Sequence, residues 1–307
     1  MITQRPARIR AFFAETPAQT PSGVLAHAAA LEAAGEDGLA DALIVEAWLT
    51  KPMDAAEQSA FLSAHRTLLA NYHTARLDAL LWQKARTSAG RMMDLVPAGH
   101  QALAKARIAL QARSGDVNAL IAAVPAALQD APGLAHDRFE WRIRAGLWDS
   151  AKELLLTQSA KPDGLGEPEV WANRRRALAR DEMRDGDTQK AYDMAALHGL
   201  VEGSHYADLE WLAGYIALRK LNDPARALGH FENHDAATQS PISNGRAGYW
   251  IGRANEAMGR DDQARAAYAY GAQYQTSFYG LLAAERAGLP SDTSLRGDAE
   301  IGDWRAS

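Results

Sequence analysis

The sequence predicts an all-α fold in which helix–turn–helix repeats stack into a superhelix. Two observations carry that expectation: a composition that favours helix throughout, and a turn-and-packing pattern that recurs along the second half of the chain. Ala supplies roughly a fifth of the 307 positions and β-branched residues are sparse. Ala, Leu, Arg, Glu, Gln and Met form helix at the least cost. Hydrophobic residues make up 47% and charged residues 23%, which leaves ample apolar material for a core.

The recurring pattern is a small turn residue followed five positions later by Ala. It occurs as Gly146 with Ala151, Gly186 with Ala191, Asn222 with Ala227, and Gly259 with Ala264. A bulky residue stands four positions beyond that Ala in three copies (Leu155, Phe231 and Tyr268), and Ala195 is the exception. A weaker copy starts at Gly115, with Leu120 in the Ala slot. The intervals are 31, 40, 36 and 37 residues, near the period of helix–turn–helix solenoids. Gly or Asn can take the left-handed conformation that closes the first helix. Asp187, Asp223 and Asp261 stand where the second helix needs a cap, and Pro224 suits its first turn. The small Ala lets the two helices approach, and the large residue one turn later fills the groove. Neither helix can bury its apolar face alone, so neighbours must stack.

Taken in order, helices are expected over 20–34, 41–49, 54–70 and 74–84, with Gly35 closing the first. Two more are expected over 98–112 and 117–128. The clearest breaks are Pro132-Gly133 and the stretch 161–168, whose two Pro and two Gly suit a change of direction in the solenoid. Residues 1–19 then read as an N-terminal extension, 20–290 as the superhelical domain and 291–307 as the start of a linker, where periodicity is lost.

Charge and composition exclude several functions. With 33 basic and 38 acidic residues the net charge is −5, so the general attraction to polyphosphate is missing and no nucleic-acid partner is expected. The absence of Cys excludes thiol catalysis, disulfides and Cys-ligated metal, and leaves an oxidising compartment open. No apolar run approaches the roughly 20 residues that span a bilayer, so no membrane span is expected. The opening Met1–Arg10 carries charge with no apolar run behind it, and does not read as a signal peptide.

Local chemistry is sparse. His230 and His234 stand four apart on one helix face, but zinc-protease motifs need Glu where Phe231 or Asn233 stands. Two helix-end imidazoles without metal are the plainer reading. Gly164-Leu-Gly166 neither follows a strand nor opens a phosphate-binding turn, so no cofactor is expected. No residue is assigned a catalytic role. Two features suit binding. Arg176, Arg180 and Arg184 make a basic stripe along one helix, with Arg174 and Arg175 adjacent and Asp181 and Asp185 partly neutralising it. Among the tryptophans of the repeats, Trp171 and Trp250 are candidates to stack on a sugar ring, against the plainer expectation that each is core.

The last repeats carry a resemblance. Gly248-Tyr-Trp-Ile-Gly-Arg-Ala-Asn-Glu-Ala-Met-Gly259, then Ala264-Arg-Ala-Ala-Tyr268, then Thr276-Ser-Phe-Tyr-Gly-Leu-Leu-Ala-Ala284 with Gly288-Leu-Pro290, resemble the final repeats of soluble lytic murein transglycosylases. Upstream, the likeness includes Trp141-Arg-Ile-Arg144, Trp171 with Arg174-Arg175, Ala191-Tyr192, His198-Gly199, Tyr206–Gly214, His230-Phe231 and Pro241-Ile-Ser243. It covers about residues 40 to 290. The resemblance implies a right-handed, tetratricopeptide-like α-superhelix in horseshoe or ring form, in the periplasm of a Gram-negative bacterium. It further implies peptidoglycan strands as partner, and a lysozyme-like domain that cleaves the muramyl–glucosaminyl bond and leaves a 1,6-anhydro sugar. The catalytic signatures of that domain, a Glu-Ser pair and a Gly-Leu-Met-Gln run, do not occur in these 307 residues. The expectation is therefore a scaffold that is inactive alone and positions glycan or the catalytic domain. The competing expectation is a free-standing solenoid that binds a protein partner.

Overall fold

The computed structural model describes residues 4–296, and all regular structure among the described residues is helical. The chain divides into two compact units, Met1–Ala151 and Lys152–Ser307, the division falling inside the helix Trp148–Ser159.

The first unit contains α1 (Gln4–Glu15), α2 (Pro21–Glu32), α3 (Asp37–Thr50), α4 (Ala55–Leu69), α5 (His73–Trp82), α6 (Arg86–Gly90), α7 (Ala98–Ala112), α8 (Val117–Ala122) and α9 (Pro132–Arg144). Three of their starts, those of α2, α4 and α8, carry a side-chain cap. Thr20 caps α2 by accepting from the Gly23 amide, with Pro21 in the first turn. Asp54 and Glu57 form a reciprocal capping box at α4, with bonds of 2.8 and 2.9 Å. The expected extension 1–19 is largely the helix α1, whose Phe13 stacks on His27 with ring centres 5.0 Å apart. The helix expected over 117–128 stops at Ala122. Pro125 lacks an amide hydrogen and pushes Val124 out of helical geometry, so the chain continues as the short turn Ala126–Leu128.

The core of this unit holds charge. Arg107 on α7 is 1% exposed and bonds Asp137 of α9 at 2.7 Å and Asp78 of α5 at 2.5 Å, while its guanidinium lies over the Trp82 ring. Gly133 is small for this reason: a Cβ there would lie 2.6 Å from Arg107 Nη2. The guanidinium cannot swing aside without breaking both ion pairs. Gly133→Ala is therefore expected to destabilise the protein by about 1–3 kcal/mol, read from urea unfolding. No measurable change would mean that Arg107 is not held in this way.

The second unit runs from α10 (Trp148–Ser159) through α11 (Pro168–Asp185), α12 (Thr188–Ala196), α13 (Gly203–Arg219), α14 (Pro224–Ala236), α15 (Pro241–Ala257) and α16 (Asp261–Gly271) to α17 (Phe278–Ala287). From α11 onward each helix packs on the next, and α11 also meets α13 as α15 meets α17. The pattern residues do what their chemistry predicts. Ala151, Ala191, Ala227 and Ala264 are buried, as are Leu155, Ala195, Phe231 and Tyr268. Asp187 and Asp223 cap α12 and α14.

Two details differ from expectation. Gly115, Gly146, Asn222 and Gly259 have positive φ, but Gly186 is extended at φ −122°. Its neighbour Glu182 folds back to accept the Asp187 amide at 3.0 Å, and a Cβ on Gly186 would sit 2.5 Å from that carboxylate. Glycine is needed here for space rather than for handedness. Asp261 is not the cap of α16; Arg260 holds that position and Asp261 lies in the first turn, where a negative charge suits the helix dipole. After α17, Gln275 bonds the Pro290 carbonyl and the Asp292 amide, so the start of the expected linker lies against the last helices. Residues 297–307, including Ile301 and Trp304, lie outside the described residues.

Candidate functional site

The candidate residues separate by burial. Trp171 is 0% exposed and donates its indole N–H to the Leu165 carbonyl at 2.9 Å. Trp250 is 7% exposed and packs among Trp211, Tyr215, Phe231, Tyr249 and Tyr279, with ring centres 5.2 to 6.3 Å away. Neither offers a free face to a sugar; both hold helices together. Arg175 is equally buried. It donates to the Met194 carbonyl at 2.9 Å and to Ser159 Oγ at 2.6 Å, at the C-terminal ends of α12 and α10. Burial pushes its pKa down to about 9, and the two helix termini favour the charge it keeps.

The paired histidines part company. His234 is fully buried and its Nδ1 lies 2.8 Å from the Ala207 carbonyl, which makes that nitrogen the donor. Burial first, then the charge of Arg246, lower its pKa. His230 joins a network centred on Glu210 of α13. Glu210 Oε1 is 2.9 Å from His198 Nε2, and Oε2 is 2.7 Å from His230 Nδ1 and 3.1 Å from Asn233 Nδ2. The Leu200 amide donates to His198 Nδ1 at 3.0 Å, which fixes the His198 proton on Nε2, facing the carboxylate. Tyr192 closes the chain at 2.8 Å from His230 Nε2. Every polar atom of the Glu210 carboxylate is used, and the network ties α12, α13, α14 and the 197–202 turn together. Among the described residues no group of three or more His, Asp or Glu is placed to hold a metal ion.

The basic stripe on α11 is where partly exposed chemistry gathers. Arg176 forms an ion pair with Asp208 of α13. Arg246 of α15 approaches the other oxygen of Asp208 at 3.5 Å and lays its guanidinium 5.0 Å over the half-buried ring of Trp211. Arg180, one turn beyond Arg176, is exposed and has no ion-pair partner among the described residues. Partial burial first, then repulsion from Arg176 and Arg246 against the pull of Asp208, lower its pKa. Arg184, the third member of the stripe, pairs only with Asp181 at 3.5 Å, both side chains more than half exposed. Such a pair contributes little. The structure thus keeps Arg176 and Arg180 together, leaves Arg184 apart, and adds Asp208, Trp211 and Arg246.

Sequence reasoning missed Asp208 and Arg246, and saw Trp211 only as one of the repeat tryptophans. Asp208 and Trp211 stand three apart on one helix, an acid and an aromatic sharing a face, which was a usable signal. Nothing local marks Arg246, because its relation to α11 arises only through α13. Compared with family models, with curated proteins and with solved structures, the chain gives no match.

Proposed function

We propose that this chain is the superhelical scaffold of a soluble lytic murein transglycosylase, acting in the periplasm to hold peptidoglycan strands for a lysozyme-like catalytic domain. The observation that carries the reading is where the family-like strings fall. Gly248–Gly259 lies in and just after α15, Ala264–Tyr268 in α16 and Thr276–Ala284 in and just before α17. Their aromatic residues Tyr249, Trp250, Tyr268 and Tyr279 are the packing partners that join these helices. The alternation of long and short helices from α11 to α16 suits stacked helix pairs, and a right-handed tetratricopeptide-like superhelix is what the resemblance adds to that reading. The first helices of its pairs, α11, α13 and α15, carry the arginines and Trp211, and this is the surface assigned to glycan.

The test is incubation of the purified chain with intact peptidoglycan sacculi, followed by sedimentation and mass analysis of the soluble fraction. The chain is expected to sediment with the sacculi and to release no 1,6-anhydro-muropeptides by itself. Release of those products would overturn the scaffold assignment. A chain that stays soluble and instead retains one protein partner would favour the free-standing solenoid.

A further inference from the structure

Resting on the glycan-binding reading, we infer that Arg176, Arg180, Arg246 and Trp211 form a subsite for a carboxylate carried on a saccharide. Two guanidinium groups from two helices flank the carboxylate of Asp208, and Arg180 stands one helical turn along α11 from the first of them. Arg176 pairs with one of its oxygens and Arg246 stands 3.5 Å from the other. Asp208 can neutralise one positive charge, so the group keeps an excess of two. Neither paired arginine is sealed in: the side chains of Arg176, Arg246 and Asp208 are 23%, 21% and 35% exposed. Arg180 is exposed beside them and shares the same Asp208 as its nearby acid.

A solvated structural salt bridge would need one arginine for one aspartate. Two arginines at one acid, with a third a helical turn away, leave positive charge in excess, and an incoming anion relieves their repulsion. Guanidinium groups suit carboxylates because their paired N–H donors match the two oxygens. Trp211 supplies the second half of the recognition. Its ring is held on one side by Arg246 and packs on Tyr215 at 5.5 Å and Trp250 at 6.3 Å, so it is fixed before a ligand arrives. A rigid, half-buried indole beside a cationic group fits an amphipathic ring that bears an acid, rather than a free inorganic anion. In peptidoglycan the stem-peptide carboxylates supply that chemistry, as does the lactyl carboxylate of a strand stripped of its peptides; in other polysaccharides a uronate does.

The experiment uses the full chain and three soluble probes: a muropeptide with free carboxylates, tri-galacturonate, and the neutral chitotriose. Binding is followed by calorimetry at low and high salt. The anionic probes are expected to bind more tightly than chitotriose and to weaken as salt rises. Arg180→Glu, at an exposed position, is expected to weaken anionic binding by about ten-fold or more without lowering the unfolding midpoint. Asp208→Asn removes the competing carboxylate and is expected to tighten anionic binding, a result that a merely structural pair would not give. Equal affinity for charged and neutral probes, or no response to Arg180→Glu, overturns the subsite. Binding of tri-galacturonate without binding of muropeptide or sacculi keeps the subsite and overturns the peptidoglycan reading. Sedimentation with sacculi that survives Arg180→Glu keeps that reading and overturns the subsite.

Discussion

Glu210→Ala is expected to destabilise the protein by about 3 kcal/mol near neutral pH, and the loss should shrink in acid. The carboxylate accepts from His198, His230 and Asn233. Removing it leaves two imidazole N–H groups without an acceptor in a site where Glu210 and His198 are 7% and 5% exposed. Each buried donor left unpaired costs about 1–3 kcal/mol. Glu210→Gln keeps the shape but turns an amide donor toward an imidazole donor, and about 2 kcal/mol is expected.

The pH dependence has a definite sign. Burial pushes the Glu210 carboxyl upward, but the hydrogen bonds from His198, His230 and Asn233 outweigh it and hold the pKa at about 2. In the unfolded chain the group returns to its ordinary value near 4.5. Its contribution is therefore complete above about pH 4.5 and is lost as pH falls toward 2. Urea unfolding of wild type and Glu210→Ala at pH 7 and pH 3 should show a smaller gap at the lower pH. A gap of constant size would mean that the carboxylate is not the group that organises His198 and His230.

The helix pairs were legible because their signals are local. Thr20, Asp54, Asp187 and Asp223 cap the helices they precede, and each buried Ala follows its turn at a fixed offset. The failures share a cause as well. Pro125 ended a helix that the apolar pattern would have extended, a local rule overlooked in favour of periodicity. Gly186, by contrast, answers to the Glu182 side chain, which no turn rule describes. Of the candidate site, Arg176 and Arg180 could be named because helical spacing places them together. Arg246 could not, since it reaches Asp208 only after α13, α14 and α15 have packed. Trp171 and Trp250 were visible as tryptophans, but whether an aromatic face is open or filled depends on neighbours tens of residues away.

The same logic sets a second large effect. Tyr268 of α16 packs into α15 at Gly252, where a Cβ would come within 2.5 Å of the ring carbon Cδ1. Phe231 of α14 stands likewise against Gly214 of α13, 2.6 Å from a Cβ there. Each pair thus sets a large residue on the second helix against a missing side chain on the first. In the pair α11–α12 the bulky position holds the buried Ala195 instead, so that pair does not use this arrangement.

Gly252→Leu is accordingly expected to cost about 3 kcal/mol, because Tyr268 is 3% exposed and anchored through its hydroxyl to Glu256 at 2.9 Å. Tyr268→Ala alone should cost about 3–5 kcal/mol through the cavity it leaves. In the double substitution the new leucine can fill the space that Tyr268 vacates, so it should be more stable than the sum of the two losses predicts by at least about 1 kcal/mol. Urea unfolding of the four proteins measures this directly. Strict additivity would mean that the two positions do not share a common space.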